Sequence, residues 1–287
     1  MVQTKAVLAI LALTLVSLFM IPMQWLAVRF NLPLQRYLPW IWHLIANRLV
    51  GIRVHQIGRP VDSRPLLIAS NHTSWVDIPV LGSLMPLSFI AKSEVASWPV
   101  FGLFAKLQRS VFVNRTRRSD TGKVTDSIAG RLKSGDAMVL FAEGTSNDGN
   151  GVLPFRSALL GSATRALDAE GGEVWVQPLS IAYQGLQGMP MGRQFRPRVA
   201  WYGDMELAGH LWGVFSSGAL DVVVSWGEPV LVHHGTDRKV LTRTLEQSVR
   251  SMTIASLTGT ADQSPKTPEI EALNLFSNGE KTVKAGA

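Results

Sequence analysis

Pro65-Leu66-Leu67-Ile68-Ala69-Ser70-Asn71-His72-Thr73-Ser74-Trp75-Val76-Asp77 decides the fold class of this chain. After the proline it opens with a continuous apolar run, the pattern of a strand buried on both faces rather than one wetted at alternate residues. Such strands sit in parallel sheets covered by helices, and here the run breaks into a polar turn before helical spacing resumes near residue 76. The turn sets a histidine five positions ahead of an aspartate. Imidazole is the side chain whose ordinary pKa lies nearest neutrality, and a carboxylate on its second nitrogen fixes the tautomer and raises its basicity. That pairing suits the removal of a proton from an alcohol.

The same alternation continues along the chain. Residues 87–91, 110–114, 137–142, 174–183 and 221–226 read as further strands, and 76–85, 93–107, 119–134, 155–170 and 237–257 as helices. The expected fold is therefore α/β, a mixed, partly parallel sheet flanked by helices, over a catalytic domain at 51–260. Residues 261–287 are polar, with Pro265, Pro268, Asn278 and Gly279, and are expected to be a disordered tail.

The N-terminus has a different character. Residues 6–28 carry no charge, and at about 1.5 Å per residue they reach roughly 35 Å, enough for a bilayer core. A cleaved signal peptide would have a shorter apolar region and a small-residue cleavage site, which Trp25-Leu26-Ala27-Val28-Arg29 does not offer. Residues 1–29 are thus expected to be a transmembrane or embedded anchor. Lys5 precedes this segment and Arg29, Arg36 and Arg48 follow it, which places the catalytic domain on the cytoplasmic side of the inner membrane. In 30–50, Leu34, Tyr37, Leu38, Ile41, Leu44 and Ile45 repeat at helical spacing, with Arg36, His43 and Asn47 on the other side. This is either an amphipathic interfacial helix or a helix packed on the domain core.

Composition narrows the chemistry. The absence of cysteine excludes disulfides, thiol nucleophiles and cysteine zinc sites. A net charge of +7 draws anions, whether membrane lipids, acidic carrier proteins or nucleic acid, and the nine tryptophans and 46% hydrophobic content favour the membrane among these. Serine-elbow, zinc-protease, Walker and dinucleotide fingerprints are missing, and no metal site is expected. His233 and His234 would point to opposite faces of a strand, and Asn147-Asp148-Gly149-Asn150-Gly151 reads as a turn rather than a calcium loop.

What remains are four polar clusters, each at the C-terminal end of an expected strand, the edge where open α/β sheets bind ligands. They are Asn71-His72 with Asp77, Val113-Asn114-Arg115, Phe141-Ala142-Glu143-Gly144-Thr145-Ser146, and Val176-Gln177-Pro178-Leu179. In this order and spacing they resemble the four motif blocks of the glycerolipid acyltransferase family, which contains the 1-acylglycerol-3-phosphate acyltransferases. The likeness runs from about residue 65 to 182.

The resemblance implies a membrane-bound O-acyltransferase. His72 would be the general base and Asp77 its orienting partner, acting on the hydroxyl of a lysolipid acceptor. The acyl donor would be a thioester of acyl carrier protein or coenzyme A, the basic surface favouring the carrier protein, and no cofactor beyond this co-substrate is implied. Arg115 would hold an anionic headgroup, while Glu143, Gly144 and Thr145 would shape the acceptor pocket. The third block departs from the family's usual Phe-Pro-Glu-Gly-Thr-Arg, because Ala142 replaces proline and Ser146 replaces arginine. A serine cannot make a bidentate charged contact with phosphate. That form, with Trp201-Tyr202-Gly203-Asp204, looks similar to lyso-ornithine lipid acyltransferases, whose acceptor needs less cationic clamping. Lysophosphatidate stays the close alternative, with Arg156 or Arg117 supplying the missing charge. An acyl-ester hydrolase and a non-enzymatic module for anionic lipid are the readings from other classes.

Overall fold

A computed structural model describes residues 2–113, 121–161, 173–233 and 235–261. The strands are β1 (Ile52–Ile57), β2 (Leu66–Ser70), β3 (Ser88–Lys92), β4 (Val111–Val113), β5 (Ala137–Phe141), β6 (Val174–Leu186), β7 (Met189–Pro190), β8 (Leu220–Trp226) and β9 (Val230–Val232). They form one sheet in the order β1-β8-β6-β2-β5-β3-β4, with β7 and β9 also paired to β6. Pairing is parallel from β6 through β2, β5 and β3 to β4, and antiparallel between β6 and β8. The sheet is mixed, as the apolar runs imply.

β2 lies at its centre, and all five of its residues are buried. Leu66 and Ile68 join a core on one face of the sheet, and Leu67 and Ala69 join the core on the other. Two buried faces require apolar side chains at successive positions, so the run carries no alternation. At about 1.5–3 kcal/mol for each fully buried aliphatic side chain, this strand contributes strongly to the cohesion of both layers.

Helices α3 (Asp77–Gly82) and α6 (Leu207–Ser216) cover the first face, while α5 (Thr121–Lys133) and α7 (Arg238–Thr258) cover the second. α7 matches its expectation closely, with Asp237 capping the Lys239 and Val240 N–H groups. The expected helix over 93–107 is instead a short 3₁₀ turn, Ser93–Ser97, followed by α4 (Phe101–Leu107). Pro99 disfavours helical geometry at the residue before it, and Val100 adopts φ 61 between the two. The helix expected over 155–170 is described from 157 to 161, and its remainder, like the tail beyond residue 261, lies outside the described residues.

α1 (Val2–Arg29) and α2 (Leu34–Val50) form an antiparallel pair against the domain. The stretch Gln3–Arg29 is long and apolar enough to cross a membrane. One face of α1, carrying Ala6, Ala9, Ser17, Met20, Gln24 and Ala27, is buried against protein. Gln24 Nε2 donates to Gln35 O at 3.0 Å and to Leu107 O at 2.7 Å, and Trp42 Nε1 donates to Ser17 Oγ at 3.0 Å. The other face exposes large apolar side chains, Phe19 at 71%.

α2 is built inside out. Asn47 Nδ2 donates to Pro79 O and Ser83 Oγ, and His43 Nε2 meets Gln108 Oε1 at 2.9 Å, so its polar stripe faces the protein. Burial lowers the His43 pKa to about 4, and the ring is neutral. Leu34, Tyr37, Ile41 and Leu44 are exposed.

Candidate active site

The chain leaves β2 at Ser70 and turns through Asn71 to Asp77, so His72 stands at the C-terminal edge of the central strand. Asn71 anchors that turn. Its Nδ2 donates to Ile181 O at 2.9 Å and its Oδ1 accepts from Ile181 N at 2.8 Å, tying the end of β2 to β6.

Four intervening residues, Thr73 to Val76, bring the carboxylate back to the imidazole. His72 Nδ1 lies 2.8 Å from Asp77 Oδ2; the His72 side chain is 22% exposed and Asp77 fully buried. The same Oδ2 accepts from Thr73 N at 2.7 Å and Ser74 N at 3.0 Å, and Oδ1 accepts from Tyr183 Oη at 2.6 Å. Four donors converge on one buried carboxylate, the satisfaction a buried charge requires. With Nδ1–H donating to Asp77, Nε2 is left as the lone-pair acceptor. The imidazole is also stacked on Phe141 at 4.0 Å between ring centroids. Its orientation is fixed on two sides.

Burial and proximity to Asp77 hold the Tyr183 phenol well above its ordinary pKa, so Tyr183 is a neutral donor to Asp77. Sequence reading did not single it out, because it lies 106 positions from Asp77 on another strand.

The third block forms a tight turn after β5. Gly144 has φ 75, a conformation open to glycine at little cost, and its N–H donates to Phe141 O. Glu143 is buried, with Oε2 accepting from Asn147 Nδ2 at 2.8 Å. Asn147 N in turn donates to His72 O at 3.1 Å. Glu143 therefore supports the turn carrying His72 through Asn147, while Thr145 is exposed and Ser146 half-buried. Residues 147–151 form the expected turn, closed by Gly149 N donating to Asn147 Oδ1 and Asn150 N to Asp148 Oδ1. Arg156 Nε donates to Glu143 O at 3.1 Å, which brings one guanidinium to this block. Arg115 and Arg117 lie outside the described residues, as does His234. Among the described residues, no three or more acidic, histidine or cysteine side chains are grouped to hold a metal ion.

Burial raises the Glu143 pKa from 4.5 to about 8, with Asp77 adding a smaller push against the Asn147 amide and nearby backbone N–H groups. The folded protein then holds a proton on Glu143 that the unfolded chain releases above about 4.5. Stability from this group is highest below that value and falls as pH rises through about 8. Glu143→Gln keeps the amide contact and removes the titration, so its Tm is expected to decline less than that of the wild type between about pH 5 and 9. Parallel Tm profiles would show that Glu143 is already ionised in the fold.

A buried carboxylate orienting a half-buried imidazole at the edge of a parallel sheet is the arrangement the four blocks imply. The acyltransferase family profile matches residues 51–182, which contain all four. A lyso-ornithine lipid O-acyltransferase of Brucella abortus is 52% identical over 88% of this chain and 95% of its own length. The chain belongs to the acyltransferase family. A second lyso-ornithine lipid O-acyltransferase, from Rhizobium meliloti, is 45% identical over 88% of this chain and 87% of its own. The 1-acyl-sn-glycerol-3-phosphate acyltransferase of Neisseria gonorrhoeae is 33% identical over 69% and 73%. The crystal structure of a 1-acyl-sn-glycerophosphate acyltransferase from Thermotoga maritima shares the fold, with a TM-score of 0.58 at 20% identity over 94% of this chain and all of its own. This acyltransferase thus combines the family's fold with a third block that ends in serine.

Proposed function

We propose that this acyltransferase transfers a fatty acyl group from a thioester of acyl carrier protein to the free hydroxyl of lyso-ornithine lipid, giving ornithine lipid. The observation that carries the acceptor is the 52% identity to a lyso-ornithine lipid O-acyltransferase along nearly the whole of that protein. Ser146 supports it, since a zwitterionic amino-acid headgroup needs less positive charge than a phosphate monoester. The donor choice rests on the net charge of +7, which favours an acidic carrier protein over coenzyme A.

In the reaction, His72 Nε2 takes the hydroxyl proton as the oxygen attacks the thioester carbonyl carbon. The tetrahedral intermediate collapses with cleavage of the carbon–sulfur bond, and the imidazolium returns its proton to the leaving sulfur, releasing a thiol and restoring His72 as a neutral base. Asp77 stabilises that imidazolium, and Tyr183 holds Asp77. General base catalysis supplies about 10² to 10⁴ in rate, whereas fixing two substrates in attack geometry supplies roughly 7–11 kcal/mol. Most of the protein's work is therefore positioning, to which Glu143, Gly144, Thr145, Ser146 and Arg115 are assigned on the acceptor side.

The outward apolar faces of α1 and α2 support a seat against a bilayer, and Arg29, Arg36 and Arg48 after the apolar segment support a catalytic domain on the cytoplasmic side of the inner membrane. There a lysolipid reaches His72 without leaving the lipid phase.

Arg156 favours a second acceptor. Its guanidinium, beside Glu143, stands near the block in which Ser146 replaces the usual arginine, and would serve lysophosphatidate. Labelled acyl carrier protein offered to the purified protein with each lysolipid in parallel tests the function. Acylation of lyso-ornithine lipid is expected; release of free fatty acid without any acceptor would make it a hydrolase. Ser146→Arg is expected to move the kcat/KM ratio of the two lysolipids towards the phosphate acceptor by about tenfold, the scale of one charge-assisted hydrogen bond. An unchanged ratio would remove Ser146 from acceptor selection.

A further inference from the structure

A second cluster of charge lies at the other end of the sheet. Arg64 precedes β2, Leu87 precedes β3 and Asp136 precedes β5, whereas His72 and Glu143 follow β2 and β5. Five residues of parallel strand, roughly 17 Å, separate the two ends. Here Arg36 of α2, Arg64, Arg109 and Asp136 line a cavity of about 180 Å³ together with Tyr37 and Gln108.

The charges in this cavity do not balance. Asp136, 4% exposed, accepts from Arg109 Nη2 at 2.9 Å and Arg131 Nε at 2.8 Å, and forms an ion pair with Arg36 Nε at 3.0 Å. Arg131 Nη2 also reaches Ser88 Oγ and Arg109 O, and Arg36 Nη2 reaches Ser134 O. Three guanidiniums thus share one carboxylate, and the group carries an excess of two positive charges. Arg64 adds a fourth cation, facing Asp62. Burial, and repulsion from Arg109, hold Arg131 below its ordinary pKa, and burial chiefly does the same to Arg109. Concentrating like charge out of water is costly unless an anion joins it. Donors remain to receive one, since a guanidinium has five N–H groups and, among the described residues, Arg109 spends one on Asp136.

We infer that this cavity binds the phosphate of an anionic membrane lipid. Guanidinium forks match phosphate oxygens two at a time, and a cavity of about 180 Å³ has room for a phosphate group. The lipid source rests on the reading that the apolar faces of α1 and α2 lie against a bilayer. Tyr37 links the two features: it lines the cavity and also belongs to the exposed apolar stripe of α2. A headgroup held by Arg36 and Arg109 would leave its acyl chains beside that stripe.

The test uses the full chain in neutral detergent micelles at fixed ionic strength. Thermal unfolding is followed with added phosphatidylglycerol, phosphatidylcholine or inorganic phosphate. Phosphatidylglycerol at about ten times its Kd is expected to raise Tm by about 3–6 °C, and the other two to leave it nearly unchanged. Arg36→Gln and Arg109→Gln should each abolish the rise. Arg36 is 40% exposed, and its replacement leaves Arg109 and Arg131 on Asp136, so this variant is expected to fold, as its Tm without lipid will report. Arg53→Gln, which removes an equal charge from exposed β1, should retain the rise. An equal rise with inorganic phosphate or phosphatidylcholine, no rise at all, or one that survives in both cavity variants would overturn the inference. Vesicle flotation with phosphatidylcholine alone tests the membrane reading separately, because it needs the apolar face and not the arginines.

Discussion

His72→Ala is expected to lower kcat by at least about 10², and towards 10⁴ if proton removal limits the rate, with a shift in Tm of no more than a few degrees. The two effects separate because the ring and its backbone do different jobs. The imidazole is partly exposed and carries the free Nε2, while the turn is held by Asn71 on Ile181 and by Asn147 N on His72 O, none of which involves the ring. Loss of the ring leaves Asp77 with three remaining donors, from Thr73, Ser74 and Tyr183. The buried carboxylate therefore stays satisfied. Steady-state kinetics alongside thermal unfolding checks the pair, and near wild-type turnover in a folded His72→Ala protein would falsify the base assignment.

Asp77→Asn is the companion experiment, because it removes charge while nearly preserving shape. An amide oxygen at the Oδ2 position still accepts from the Thr73 and Ser74 N–H groups, but no longer offers a negative charge to an imidazolium. If the amide turns over, its NH₂ meets His72 Nδ1 and forces the proton onto Nε2, which then cannot accept one. Either arrangement is expected to cost about 10² to 10⁴ in kcat. Asp77→Ala should lose stability as well, since two buried N–H groups and the Tyr183 hydroxyl lose their acceptor at about 1–3 kcal/mol each. Equal kcat in Asp77→Asn and wild type would reduce Asp77 to a structural lock on the turn.

The parts of the fold readable from sequence were those where burial on both faces wrote itself into consecutive residues. β2, β5 and β8 are of this kind. β1 was not anticipated, because it is an edge strand in which Ile52 and Val54 alternate with Arg53 and His55, a weaker signal than an apolar run. α6 was missed too, although it buries Val214 and Phe215 in the core and its His210 accepts from the Trp75 indole. In α2 the periodicity was clear but its sense was not. Sequence cannot say which stripe meets protein, and here His43 and Asn47 do.

The site divides in the same way. His72 and Asp77 are close in sequence, so their pairing is local and legible. Tyr183, Asn71 and Asn147 act through contacts that only the folded sheet creates, between strands and turns far apart in the chain. A tyrosine near the end of an apolar strand carries no mark of a partner 106 positions away. Glu143 was anticipated for the acceptor pocket; in the fold its buried carboxyl accepts from Asn147, whose N–H donates to His72 O.

The most direct measurement is a competition in one vessel. Purified protein, acyl carrier protein charged with a labelled fatty acid, and equal amounts of lyso-ornithine lipid and lysophosphatidate are mixed, and both products are quantified by mass spectrometry at low conversion. The product ratio then equals the ratio of the two kcat/KM values. Ornithine lipid is expected in at least about tenfold excess, a difference of about 1.4 kcal/mol in transition-state binding, with both products formed at least about 10²-fold more slowly when His72 is alanine. Phosphatidic acid as the major product, or labelled fatty acid released with neither lipid acylated, would contradict this.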